Sequence, residues 1–204
     1  MEQETTRNAI IVDADYADEV AFHLIVNFER MLGRQIPQAD LARWLDCVAL
    51  DGGMRPAEGP ATADGAPAAV TTQVVLLHAA DRARLDNFAP ADYAQELDGK
   101  AFTDSLGEFI ISTPAVAAIT TREQQFCDTL DLFLSDAAVH RIMVVPAEES
   151  LNAVTRHLRK PSAQHKDITL FTMQPQAGVR CAQQLLGYSL MAALGIRGEE
   201  IHPE

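Results

Sequence analysis

The chain has 204 residues, 48% hydrophobic and 22% charged, with a formal net charge of −13 and only three lysines, Lys100, Lys160 and Lys166. This length and apolar fraction suit one globular domain over 1–204 with a sizeable core. The excess of acid repels a phosphate backbone, so nucleic acid is expected only through a bound metal or a local basic patch.

Residues 1–8 are too acidic for the start of a signal peptide, and no apolar run approaches the ~20 residues that span a bilayer. A cytoplasmic protein with no membrane partner is the expectation. Cys47, Cys127 and Cys181 are far apart and odd in number. They read as buried, reduced thiols.

The most informative stretch is 8–16, Asn-Ala-Ile-Ile-Val-Asp-Ala-Asp-Tyr. An unbroken apolar run suits a strand buried on both faces, as in a parallel sheet. It ends in Asp13 and Asp15, and open α/β sheets hold their ligands beyond the carboxyl ends of their strands. A helix follows over 16–33, with Val20, Leu24, Phe28, Met31 and Leu32 on one face and Gly33 as its stop. His23 and Asn27 read as ordinary helix residues. A second helix spans 38–50, with Asp40 near its start and Asp51-Gly52-Gly53 as its turn.

Residues 54–71 carry Pro56, Pro60 and Pro67 and almost no large apolar side chain, which predicts a mobile loop. A second strand is expected over 72–78, ending at His78. Helical fragments are expected over 91–97 and 100–106, and a third strand over 107–112. A helix over 121–138 is signalled by Phe126, Leu130, Phe133 and Leu134, with Thr121 and Gln124 at capping-box spacing. A fourth strand, 140–145, runs into Pro146-Ala147-Glu148-Glu149. A helix over 149–158, a fifth strand over 167–173 and a last helix over 177–194 complete the chain. Strands that alternate with helices predict a mainly parallel sheet with helices on both faces.

Acids gather at the predicted strand ends: Asp13 and Asp15 after the first, Glu148 and Glu149 after the fourth. Asp128, Asp131 and Asp136 lie on the helix before the fourth strand. Clustered carboxylates suit Mg²⁺ or Mn²⁺, which can activate water against a phosphodiester. The same acids also serve as helix caps and first-turn residues. Capping is the stronger expectation for Glu148 and Glu149, and both roles stay open for Asp13 and Asp15.

Other constellations are missing. The first turn has no Gly-x-Gly-x-x-Gly, so no nicotinamide or flavin is expected. There is no nucleophile elbow, and the six histidines have no zinc spacing. Arg156, His157, Arg159, Lys160, His165 and Lys166 form the basic cluster near 156–166.

The order strand-Asp-x-Asp, two helices, strand, acidic helix, strand with acids, helix, strand resembles the PIN-like superfamily over 8–175. It is most similar to the NYN branch of metal-dependent ribonucleases. The family's first-strand Asp is matched by Asp13, and its acid before the fourth strand by Asp128 or Asp131. Its Ser-Gly-Asp-x-Asp motif is replaced here by Ala147-Glu148-Glu149-Ser150, without glycine. The chain also resembles an uncharacterised bacterial family known only as a domain of unknown function.

The resemblance implies a three-layer α/β/α sandwich with a five-stranded, mostly parallel sheet. It implies either of two functions. One is a catalytically degenerate domain that binds a ligand or partner, or assembles as a homo-oligomer. The alternative is a divalent-metal-dependent phosphodiesterase or ribonuclease. In that case Asp13, Asp128 and Glu148 hold the metal, assisted by Asp15 or Asp131.

Overall fold

A computed structural model describes residues 7–56 and 70–201. In chain order its elements are β1 (Arg7–Asp13), α1 (Ala14–Leu32), β2 (Ala39–Asp40), α2 (Leu41–Asp51), β3 (Thr71–Leu77) and β4 (Phe88–Ala89). There follow β5 (Ala101–Asp104), β6 (Gly107–Ser112), α3 (Arg122–Ser135), β7 (Val139–Val145) and α4 (Leu151–His157). The last are β8 (Asp167–Thr172), β9 (Ala182–Leu185), α5 (Leu186–Ala193) and α6 (Gly198–Ile201). Most of the loop expected over 54–71 lies outside the described residues.

Seven strands form one sheet in the order β5-β6-β3-β1-β7-β8-β9, and β2 pairs with β4 apart from it. Every pairing in the large sheet is parallel except β5 with β6. The architecture is Rossmann-like. β1 is central because its side chains are apolar on both faces: Ile10 and Val12 point into one core, Ala9 and Ile11 into the other. The first core packs α1, α2 and α5 on the sheet, and the second packs α3 and α4.

The large sheet has seven strands rather than the five expected, because β5 and β9 join it at its edges. Residues 100–106, which the sequence pattern predicts to be helical, supply β5. Gly107, at φ +122°, turns the chain at a point where a Cβ would meet the Val70 carbonyl oxygen at 2.2 Å. Phe102 then stacks on Phe109 of β6, with centroids 4.7 Å apart. A cross-strand aromatic pair and a glycine turn outweigh the modest helix propensity of a short segment.

The last helix begins at Leu186, not near 177, because Ala182–Leu185 covers the open edge of β8. The Gln183 side chain bonds both the N–H and the C=O of Gln176, at 2.7 and 3.0 Å, and holds the preceding loop against it. Residues 91–97 give a single π-helical turn, Tyr93–Leu97, capped by Asp92.

The expected caps form. Gly33 stands at φ +64° after α1, and Asp40 caps α2 through the Arg43 N–H at 3.1 Å. Thr121 caps α3 through the Gln124 N–H at 3.1 Å. The Gln124 side chain turns to Asp128 at 2.7 Å instead of closing a capping box.

Candidate functional site

The chain runs outward from β1 through β3 to β6, then returns to β7 on the other side of β1. The crevice at that switch, beyond the carboxyl ends of the strands, is where open α/β sheets hold ligands. Asp13 ends β1 there and is 1% exposed. Its Oδ1 accepts from the Tyr16 N–H at 3.0 Å and so caps α1. Asp15 turns toward the end of β3, where its Oδ2 accepts from the Ala79 N–H at 2.8 Å.

An arginine joins the two acids. Arg122, the first residue of α3, sets Nη1 at 3.2 Å from Asp13 Oδ1 and 3.2 Å from Asp15 Oδ2. Its Nη2 lies 3.9 Å from Glu149 Oε1. Glu148 accepts from the Tyr16 hydroxyl at 3.4 Å. Arg82 approaches Asp15 at 3.8 Å, Asp18 at 3.5 Å and Asp86 at 3.6 Å. Asp18 is buried and structural: it accepts from the N–H groups of Asp86 and Asn87 at 3.0 and 2.8 Å, tying the loop after β3 to α1.

Two oxygens accept no hydrogen bond. Asp13 Oδ2 and Asp15 Oδ1 are buried and have no hydrogen-bond partner among the described residues. Desolvation raises the Asp13 pKa to about 6, although Arg122 and the Tyr16 N–H pull it down.

A folded-state pKa above the ordinary 3.8 means that the folded protein holds this proton more tightly than the unfolded chain. Stability is then lost as pH rises from about 4 to about 6 and stays lost above that. Asn keeps the cap without the charge. Asp13→Asn should therefore raise stability by about 2 kcal/mol at pH 8 and by little at pH 4. Thermal melts of both proteins across that range check it, and a destabilised Asp13→Asn at pH 8 contradicts it.

Asp13, Asp15 and Glu149 thus meet around Arg122 and Glu148 is held by the Tyr16 hydroxyl, but Asp128 and Asp131 do not join them. At 1.5 Å rise per residue they lie about 9 and 14 Å along α3 from Arg122. Asp128 is exposed and bonded to Gln124. Asp131 faces α4, where it accepts from Lys160 Nζ at 2.6 Å and lies 2.9 Å from His157 Nδ1. His78 is buried, stacked on Tyr93 at 3.9 Å and flanked by the Ala79 and Thr113 carbonyls, so it does not enter the crevice as a free group.

Among the described residues, no three His, Cys, Asp or Glu side chains stand as metal ligands. With a guanidinium between Asp13 and Asp15, the donors as arranged do not fit a divalent ion. Sequence reasoning missed Arg122 and Arg82. One signal for Arg122 was present: it directly follows the Thr121 cap, and a cation on a helix's first turn opposes the dipole unless acids from elsewhere hold it.

Beside this cluster opens a cleft of about 660 Å³. Six acids, Asp15, Asp18, Glu19, Asp81, Asp86 and Glu149, face two arginines there, Arg82 and Arg122. Phe22, half exposed, stands in its wall.

A family model described as a family of unknown function, DUF6621, matches residues 2–201. No curated protein and no solved structure matches the chain. Among the described residues, no helix is long and apolar enough to cross a membrane.

Proposed function

We propose that this chain, which belongs to the DUF6621 family of unknown function, is a PIN-like binding module whose acidic site is closed by an arginine and whose cleft takes a cationic ligand. One observation carries the reading: Arg122 Nη1 lies 3.2 Å from both Asp13 and Asp15. A guanidinium there supplies the positive charge that a divalent ion supplies in a nuclease. It supplies no activated water and no open coordination position. The altered Ala147-Glu148-Glu149-Ser150 motif agrees with a site released from catalysis.

The excess of acid in the cleft favours a ligand bearing ammonium or guanidinium groups. Phe22 offers an aromatic face to the same charge. Thermal melts with spermidine, with Mn²⁺ and with neither test this, alongside an RNA-cleavage assay. Spermidine should raise Tm in a salt-sensitive way, with the rise reduced in Asp81→Asn/Glu149→Gln. Mn²⁺-dependent RNA cleavage that disappears in Asp13→Asn would overturn the proposal.

That outcome defines the second reading, a divalent-metal-dependent phosphodiesterase or ribonuclease. Asp13 Oδ2 and Asp15 Oδ1, buried without a hydrogen bond among the described residues, favour it. It requires Arg122 to withdraw, and its ligands would come from Asp13, Asp15 and Glu148 or Glu149 rather than from Asp128 or Asp131.

A further inference from the structure

The opposite end of the sheet carries the reverse charge. A cavity of about 930 Å³ opens at the amino ends of β7, β8 and β9, between α4 and the loop that leads into β9. Four cations line it, Arg141, Arg159, Lys166 and Arg180, against a single acid, Asp167. In a chain of net charge −13 this is a marked concentration of positive charge.

Tertiary structure divides the 156–166 basic cluster to make it. His157 and Lys160 turn to Asp131 on α3, while Arg159 and Lys166 line the cavity. Arg141 and Arg180 arrive from distant parts of the chain.

The donors are held but not exhausted. Arg141 Nη2 pairs with Asp167 at 3.1 Å, while its Nε is buried with no hydrogen-bond partner among the described residues. Lys166 Nζ donates to the carbonyls of Asp136 and Val139, which fixes the ammonium in place. Arg159 Nη2 donates to the Gly178 carbonyl at 3.3 Å. Arg180 is exposed and has no ion-pair or hydrogen-bond partner among the described residues. Leu158, Ile168 and Val179 supply apolar wall in the same cavity.

We propose that this cavity binds an organic phosphate of nucleotide size, its phosphate held by Arg141, Arg159, Lys166 and Arg180 and its body against Leu158, Ile168 and Val179. Arginine forks match phosphate oxygens in two-point contacts, and a fixed lysine adds a point charge. A volume near 1,000 Å³ with mixed walls suits a ligand larger than inorganic phosphate. The site is remote from the acidic crevice and independent of what that crevice does.

Isothermal titration calorimetry with AMP, inorganic phosphate, adenosine and a short oligouridine tests the proposal. AMP should bind, phosphate should bind more weakly, and adenosine should not bind. Arg180→Gln and Arg159→Gln, whose side chains support no buried contact, should each weaken AMP binding roughly tenfold while leaving Tm unchanged. Lack of binding by both AMP and phosphate at millimolar concentration would overturn it, as would AMP affinity unchanged in the Arg159/Arg180 double variant. Oligouridine binding without AMP binding would replace it with a nucleic-acid groove.

Discussion

Arg122→Met should destabilise the protein by about 3 kcal/mol at pH 8, the low end for breaking a buried ion pair because the arginine is partly exposed. Arg122 is the nearest cation to Asp13, which is 1% exposed, and it also holds Asp15. Without it, buried Asp13 loses its cation and faces the partly buried Asp15, which keeps only Arg82 at 3.8 Å. The cost should shrink toward pH 5, because Asp13, already raised to about 6 by burial, takes up a proton when its cation is lost. Adding Asp13→Asn should recover part of the loss at pH 8, since the two residues touch and their effects cannot be additive.

The same substitution opens the acids to other cations. Arg122→Met should gain a Mn²⁺-dependent rise in Tm that wild type lacks, because the ion binds only the folded cluster. Melts of wild type, Arg122→Met and the double variant at pH 5 and pH 8, with and without Mn²⁺, provide the check. A substituted protein as stable as wild type at pH 8 would mean that Arg122 does not hold the cluster.

Trp44→Ala should cost about 4 kcal/mol, in line with other large aromatic-to-alanine changes in cores. Trp44 is 1% exposed on α2, and its ring lies 5.2 Å from that of Phe88. Its Nε1–H donates to Ser189 Oγ at 3.1 Å, which joins α2 to α5. Removing it leaves a cavity between two helices and an unfilled acceptor. At roughly 2–4 °C per kcal/mol for a chain of this size, Tm should fall by about 10 °C. Leu132→Ala, at a side chain 72% exposed, should change Tm by little. Equal losses in the two variants would contradict the packing described for the first core.

Legibility followed the range of the interaction. Ala9-Ile10-Ile11-Val12 announces a central parallel strand because both faces of β1 are covered, and the pattern needs no partner to be read. The caps at Asp40 and Thr121 and the stop at Gly33 are local chemistry, and they form as expected. β5 and β9 were invisible for the opposite reason. Neither has an unbroken apolar run, and each becomes a strand only because β6 or β8 offers an unpaired edge. Along the chain, 177–194 looks like one helix. In the fold, its first part is worth more as an edge strand than as added helical turns.

The site divides in the same way. An α/β chain with parallel strands, and acids delivered beyond the ends of two of them, could be read from consecutive residues, because strand burial and strand-end chemistry are local. Which acids meet depends on how the elements pack. Asp128 and Asp131 share the acidic character of Asp13, but helical rise carries them away, and Asp131 is held by His157 at the end of α4 and by Lys160 just beyond it. Arg122 is more than a hundred positions from Asp13, yet it lies 3.2 Å away. The basic cavity likewise collects Arg141, Arg159, Lys166 and Arg180 from three separate segments. Charge pairing acts across space, so sequence distance does not predict it.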